Sequence, residues 1–112
     1  MYKLILKLQA IFWKIYECKV PVIIGVHGLC VGGGIDLISM CDIRYCTADA
    51  QFTIKEVDIG MAADLGTLQF MSESVGSEST FRELAYTGRY FKAEEAKNMG
   101  FVTKVLPDKE AL

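Results

Sequence analysis

The start of the chain carries an apolar stripe with helical spacing. Charged residues lie off this stripe, as in an amphipathic helix. Proline cannot continue a helix, so Pro21 must follow its end. We therefore predict a helix over Tyr2–Tyr16. Its stripe consists of Leu4, Ile5, Leu8, Ile11, Phe12, Ile15 and Tyr16.

An uncharged, largely β-branched run follows this helix. Residues 22–26 read Val-Ile-Ile-Gly-Val, which is typical of a strand buried on both faces. The glycine-rich segment 28–34 comes next, and residues 35–40 can form a helix whose first turn begins at the glycines. The predicted local order is strand, glycine-rich turn and helix.

The rest of the chain alternates short strands and short helices. Gly66 and Gly76 separate apolar segments, and Gly100 is suited to end a helix. No internal repeat, low-complexity tract or linker interrupts the pattern, so we predict a single α/β unit. The further elements are strands at 43–46, 51–54 and 101–106, an apolar stripe over 68–75, and helices around 81–85 and 93–99.

The composition indicates that this unit belongs to a larger body. The chain has 112 residues, enough for one core, and 52% of them are hydrophobic. Ordinary soluble domains contain about 45–50% apolar residues. A domain of this size leaves much of its surface in water. The excess therefore predicts apolar faces that contact further chain or other subunits.

The charge pattern excludes several classes of partner. The net charge is −2, and the charges are interspersed, so there is no basic stripe for nucleic acid. Charged residues break every apolar run well before the roughly 20 residues that cross a bilayer, so we expect no membrane span. The lysines near the start are spread out, unlike those of a targeting signal.

The cysteines and the histidine carry no recognisable site. Cys18, Cys30, Cys41 and Cys46 form no C-x-x-C pair, and His27 is the only histidine, which argues against zinc. We interpret the cysteines as reduced structural thiols. His27 lacks a nucleophile in a matching context, and we interpret it as structural.

Three consecutive glycines, Gly32 to Gly34, stand where the second helix begins. Each glycine costs a helix interior about 1 kcal/mol relative to alanine, so another requirement must select them. A bare backbone at a helix start offers N–H groups to an anion or an oxyanion. A tight turn with close packing would also explain them. Neither nucleotide-binding glycine fingerprint is present.

Three acids have apolar neighbours in the sequence: Asp36, Glu56 and Asp64. Burial raises the pKa of a carboxyl group, which suits it to carry protons near neutral pH. Partly exposed acids at the ends of elements are the alternative explanation for each of them.

Several segments together resemble the enoyl-CoA hydratase/isomerase (crotonase) superfamily. Within it, the segment KEVDIGMAADLGTLQ at 55–69 and PDKE at 107–110 resemble the dienoyl-CoA isomerases. The match covers nearly the whole chain. The segments shared with the wider superfamily are PVIIGVHG at 21–28, GGGIDL at 32–37, CDIR at 41–44 and Phe52.

The resemblance implies a partial crotonase-type ββα spiral core, an α/β fold, over residues 1–112. The family's N-terminal part, with a second oxyanion donor and much of the CoA-binding surface, would precede Met1, and its C-terminal helices would follow Leu112. Phe70 and Ser72 stand where the family usually has Arg and Pro, which bears on packing more than on chemistry.

The resemblance also implies a reaction, the shift of a 3,5-dienoyl-CoA to a 2,4-dienoyl-CoA in fatty-acid β-oxidation. Glu56 would handle the C2 proton and Asp64 the C6 proton, although the order of the pair stays open, and Asp36 would orient or tune them. The Gly33 N–H would stabilise the thioester oxygen, and such donors contribute about 3 kcal/mol each.

No cofactor or metal is implied, because CoA is part of the acyl-CoA thioester substrate. The family's location would be mitochondrial or peroxisomal, and its assembly a homo-oligomer, a trimer or hexamer. Two alternatives remain: a non-catalytic crotonase-fold fragment that acts as an interaction or subunit piece, and an enoyl-CoA hydratase. In the family's hydratases, glycine replaces Asp64.

Overall fold

The computed structural model describes residues 2–60, 63 and 65–112. Within them lie five α-helices and six strands, together with short 3-10 and π-helical turns. The helices are α1 (Tyr2–Tyr16), α2 (Gly33–Ser39), α3 (Ser72–Ser74), α4 (Glu78–Thr87) and α5 (Ala93–Asn98). The strands are β1 (Ile23–Val26), β2 (Leu29–Val31), β3 (Ile43–Thr47), β4 (Gln51–Thr53), β5 (Phe91–Lys92) and β6 (Lys104–Leu106).

The strands form two small sheets. In the first, β3 lies between β1 and β6 and is parallel to both. In the second, β4 lies between β2 and β5, parallel to β2 and antiparallel to β5. Because β1 and β2 are consecutive but belong to different sheets, the chain passes from the first sheet to the second between these two strands, shortly before α2. This mixed α/β arrangement agrees with the predicted fold class.

The core is centred on three phenylalanines from different parts of the chain. Phe52, Phe91 and Phe101 are each at most 1% exposed. The rings of Phe52 and Phe91 stack with centroids 5.2 Å apart, and Phe101 meets Phe52 edge-on at 5.9 Å. Burial of such rings is a major source of stability in a small domain.

Arg44 ties this core to the end of α2. Its side chain is buried and donates to the carbonyl oxygens of Phe101 at 2.6 Å and Cys41 at 2.7 Å. It also donates to Ser74 Oγ at 3.1 Å and lies over the Phe101 ring. Burial lowers the pKa of the guanidinium. Carbonyls at the end of a helix stabilise a nearby cation. The Asp42 carboxylate also acts on this charge and opposes the lowering of its pKa.

Two expectations about strands were wrong. β1 is not buried on both faces, since Ile23 is 60% exposed. It is an edge strand, and one of its faces has no covering layer among the described residues. The glycine-rich segment is also not a simple turn, because β2 lies within it and pairs with β4. The predicted helices over 2–16, 35–40 and 93–99 are confirmed within two residues at each end.

An aromatic cluster joins helix α1 to the segment before α3. Phe70 lies 4.8 Å from Tyr16 and 5.6 Å from Trp13 between ring centroids. None of the residues of α1 is classed as buried. Phe70 thus packs the π-helical turn Thr67–Met71 against α1.

None of the helices in the described residues is long and apolar enough to cross a bilayer.

Candidate active site

The glycine turn brings two elements of the candidate site together. Gly32 has a φ of 55° and donates its N–H to the carbonyl oxygen of Thr53 at 3.0 Å. This bond joins the start of α2 to the end of β4. A side chain at Gly32 would be strained because its φ is positive.

Gly33 is the first residue of α2. Among the residues that the structure describes, none outside the local backbone has an atom within 4 Å of the position that a Cβ at Gly33 would take. The first N–H groups of a helix have no acceptor in their own helix. The role of the Gly33 N–H as an oxyanion donor stays a prediction.

Glu56 lies beside this turn. It begins a 3-10 turn, Glu56–Ile59, three residues after the Thr53 carbonyl that binds Gly32. Its Oε1 is 3.6 Å from the position that a Cβ at Gly32 would take. The fold thus places the Glu56 carboxylate next to the start of α2, although the two lie far apart in the sequence.

A small cavity opens beside Glu56. Its volume is about 220 Å³. Except for Glu56, its walls are mainly apolar. Such a cavity can hold part of a hydrocarbon chain against a carboxylate, the pairing needed to move a proton on an acyl chain. The other lining residues are Ile54, Val57, Ala63, Leu68, Ala85 and Tyr86.

Asp36 is buried in a different environment. It is 0% exposed, and its Oδ1 accepts hydrogen bonds from Thr67 N–H at 2.8 Å and Thr67 Oγ1–H at 2.5 Å. Thr67 begins the π-helical turn Thr67–Met71, which continues into α3. Asp36 thus joins α2 to this turn. Buried charges require such donors.

The remaining sequence-predicted acid, Asp64, lies outside the described residues. Its neighbour Ala63 is 7% exposed and lines the cavity beside Glu56.

Thr67 was missed by the sequence analysis. It is 31 positions from Asp36, and the nearest local signal is the preceding Gly66. Gly66 has a φ of 141°, and a Cβ there would lie 2.6 Å from Met40 Cε. The glycine marks a close approach, but it does not identify the partner of Asp36.

His27 and the four cysteines are not among the described residues that line the cavity beside Glu56. His27 is exposed, Cys18 is exposed, and Cys30, Cys41 and Cys46 are buried free thiols. Within the described part of the chain there is no group of three His, Cys, Asp or Glu side chains that could hold a metal ion.

Comparisons with known proteins extend over nearly the whole chain. It is 51% identical to the mitochondrial Delta(3,5)-Delta(2,4)-dienoyl-CoA isomerase of Rattus norvegicus over 109 residues, 97% of this chain and 33% of that protein. It is also 51% identical to the peroxisomal Delta(3,5)-Delta(2,4)-dienoyl-CoA isomerase of Arabidopsis thaliana over 105 residues, 94% of this chain and 37% of that protein. The chain thus spans about a third of these relatives.

Solved structures show the same fold. The enoyl-CoA hydratase of Thermoplasma volcanium GSS1 superposes with a TM-score of 0.89 at 29% identity, over 98% of this chain and 44% of that one. The family model for enoyl-CoA hydratase/isomerase matches residues 3–112. The α/β core with its glycine turn is therefore a crotonase fold, and the chain belongs to the enoyl-CoA hydratase/isomerase family.

Proposed function

We propose that this chain is part of an isomerase that converts 3,5-dienoyl-CoA to 2,4-dienoyl-CoA in fatty-acid β-oxidation. The observation that carries the proposal is the Glu56 carboxylate, which lies between an apolar cavity and the open backbone at the start of α2. The identity of about half to proteins named dienoyl-CoA isomerase supports the same reaction.

The chemistry assigns one task to each group. Glu56 takes the proton from C2, beside the thioester, and the electron pair moves toward the thioester oxygen to give a dienolate. The Gly33 N–H donates to that oxygen, in the manner of an oxyanion donor. Asp64 delivers a proton at C6, and the electrons return to form the 2,4-diene. One proton is lost and one gained, so no cofactor is required.

Asp36 orients the site rather than exchanging protons with the substrate. Its Oδ1 is already engaged by Thr67 in the interior. It fixes the π-helical turn, and Leu68 of that turn lines the cavity beside Glu56.

The proposal extends to substrate and setting. The substrate is an acyl-CoA thioester whose chain enters the cavity beside Glu56. The native protein acts in mitochondria or peroxisomes, where the named relatives are located, and it works as a homo-oligomer, a trimer or hexamer.

The decisive experiment compares the native protein with Glu56→Gln and Asp64→Asn. The product is followed by the absorbance of a diene conjugated with the thioester. We expect each variant to lose at least about 100-fold in kcat, because each lacks a proton carrier, while thioester binding is retained. Glu73→Gln, an exposed acid on α3, is the matched control. An undiminished rate in Asp64→Asn would remove Asp64 from the mechanism.

A further inference from the structure

The end of α4 packs directly against the turn that carries Glu56. Gly88, which follows α4, has a φ of 63°. A Cβ at Gly88 would lie 3.1 Å from Asp58 Oδ1 and 3.2 Å from Val57 Cγ1, tighter than ordinary contact. Glycine is therefore needed here both for its backbone conformation and for the close approach of the two elements.

The Gly88 carbonyl receives two hydrogen bonds from the segment just before Glu56. Thr53 Oγ1 donates to it at 2.8 Å, and Lys55 Nζ donates at 3.0 Å. Thr53 is 0% exposed, so the first bond is buried. One carbonyl at the end of α4 thus anchors the exit of β4.

Lys55 also closes the turn around Glu56. Its main-chain carbonyl accepts the Asp58 N–H at 3.0 Å, and its Nζ donates to Asp58 Oδ2 at 2.8 Å. The ammonium lies 4.8 Å from the centroid of the Tyr90 ring. The hydrogen bond from Lys55 to Asp58 raises the pKa of Lys55, so the side chain remains cationic at neutral pH.

We propose that Lys55 is a positioning residue, which holds Glu56 at the reacting carbon by fastening the 3-10 turn to the Gly88 carbonyl at the end of α4. This inference rests on the proposed function and adds a residue to its machinery. The side chains of Lys55 and Asp58 are 32% and 48% exposed, and ion pairs with such exposure contribute little to stability. The effect of Lys55 therefore lies in geometry, where a displacement of about 1 Å can cost 100-fold in rate.

The test uses the native protein with Lys55→Met and Lys55→Arg. Methionine keeps the apolar stem and removes the donors, whereas arginine keeps a cation with several N–H donors. For Lys55→Met we expect kcat to fall at least about 10-fold with KM within about twofold. We expect Lys55→Arg to recover most of that loss. Arg82→Met, which breaks the exposed ion pair with Glu78 on α4, is the matched control.

Amide hydrogen exchange provides a second readout that does not depend on activity. The Asp58 N–H bonds to the Lys55 carbonyl inside the turn, so its exchange should accelerate about tenfold in Lys55→Met and not in Arg82→Met. This measurement also serves if Lys55→Met is difficult to assay, since it requires only folded protein. Lys55→Gln is the second variant for the case in which methionine prevents folding.

The outcomes separate the inference from the proposed function. If the native protein does not isomerise dienoyl-CoA, the proposed function fails, and the exchange at Asp58 decides the role of Lys55. An active native protein with unchanged kcat and unchanged exchange in Lys55→Met overturns the inference alone. A rise in KM matching the fall in kcat also overturns it, because Lys55 would then contact the substrate directly.

Discussion

At the scale of single residues, Asp36 shows how a buried carboxyl group is accommodated in this chain. Its Oδ1 receives both donors of Thr67, one from the backbone and one from the hydroxyl. A buried acceptor that loses its donor destabilises a fold. The pair therefore joins the start of α2 to the π-helical turn, and its strength should be measurable.

Thr67→Val tests this strength. Valine keeps the shape of threonine and its N–H but removes the O–H donor. We expect the free energy of unfolding to fall by about 1–3 kcal/mol, the usual cost of removing a donor from a buried acceptor. Chemical denaturation of the native protein measures it. Thr87→Val is the control, since the Thr87 hydroxyl bonds a carbonyl at an exposed position. Equal losses in both variants would contradict a special role for Thr67.

The cysteines give a residue-scale prediction about pH. Burial raises the pKa of the Cys30 and Cys46 thiols to about 11. Because the thiolate is the reactive form, only about one thiol in a thousand is ionised at pH 8 at each site. We expect iodoacetamide to label Cys18 first, and to label Cys30 and Cys46 only as the pH approaches 11.

The same shift has a consequence for stability. Both pKa values are raised on folding, so the stabilisation is complete below about pH 9, where unfolded thiols ionise, and is lost as the pH rises toward 11.

The labelling prediction is checked by mass spectrometry of the native protein treated with iodoacetamide, which shows the sequence in which the cysteines are modified. Labelling of Cys30 at the rate of Cys18 at pH 8 would show that the site is accessible and its pKa ordinary.

At the scale of elements, the hydrophobic pattern predicted what depends on local sequence. The stripe of α1 and the glycine before α2 are local signals, and both helices form where expected. β2 and β5 were missed because short strands exist through pairing with β4, which no local pattern reveals. The exposed face of β1 was missed for a related reason. A β-branched run predicts a strand, but it does not show whether one or both faces of that strand are covered.

The candidate site likewise contains residues that the sequence predicted and contacts that only the structure reveals. Family resemblance identified Asp36, Glu56 and Gly33, and the structure brings Glu56 to the glycine turn. The contacts of Asp36 with Thr67 and of Lys55 with Gly88 span 31 and 33 positions. Such contacts depend on how elements pack, so the sequence did not reveal these supporting roles, although Lys55 and Thr67 both lie in the segment 55–69 that carries the family resemblance.

The start of α2 offers a prediction about one N–H group. Gly33→Pro removes this donor at the first helical position, which tolerates proline. Gly33→Ala adds a Cβ in the same open space but keeps the donor. If the Gly33 N–H stabilises the dienolate, kcat in the proline variant should fall about 100-fold below that of the alanine variant. Steady-state kinetics of the native protein measures it, and equal rates would remove the N–H from the mechanism.

At the scale of the whole molecule, much of the apolar surface lacks a covering layer. Exposed apolar residues occur along α1, on β1 and on β2, with Leu4 and Ile11 each 56% exposed and Leu29 65%. Patches of this kind promote association. This agrees with the excess of hydrophobic residues in the composition.

We therefore expect the 112-residue chain by itself to associate in solution. Light scattering at micromolar concentration should give a mass well above 12.5 kDa. Leu4 and Ile11 lie seven positions apart on one face of α1, so changing both to lysine should reduce the association. Lys3→Ala and Lys7→Ala together form the control on the same helix. A monodisperse monomer of the unmodified chain would contradict the prediction.

The end of α4 has a consequence for how such a protein can change its substrate range. Ala85 and Tyr86 form part of the wall beside Glu56, and Gly88, within the next turn, anchors the segment that carries Glu56. If the proposed function holds, a mutational path toward bulkier acyl chains cannot move this helix outward without also displacing the Glu56 carboxylate. Evolution, or a protein engineer, would instead resize side chains such as Ala85 and Tyr86 on a stationary helix, which would change chain-length preference while leaving Glu56 in place.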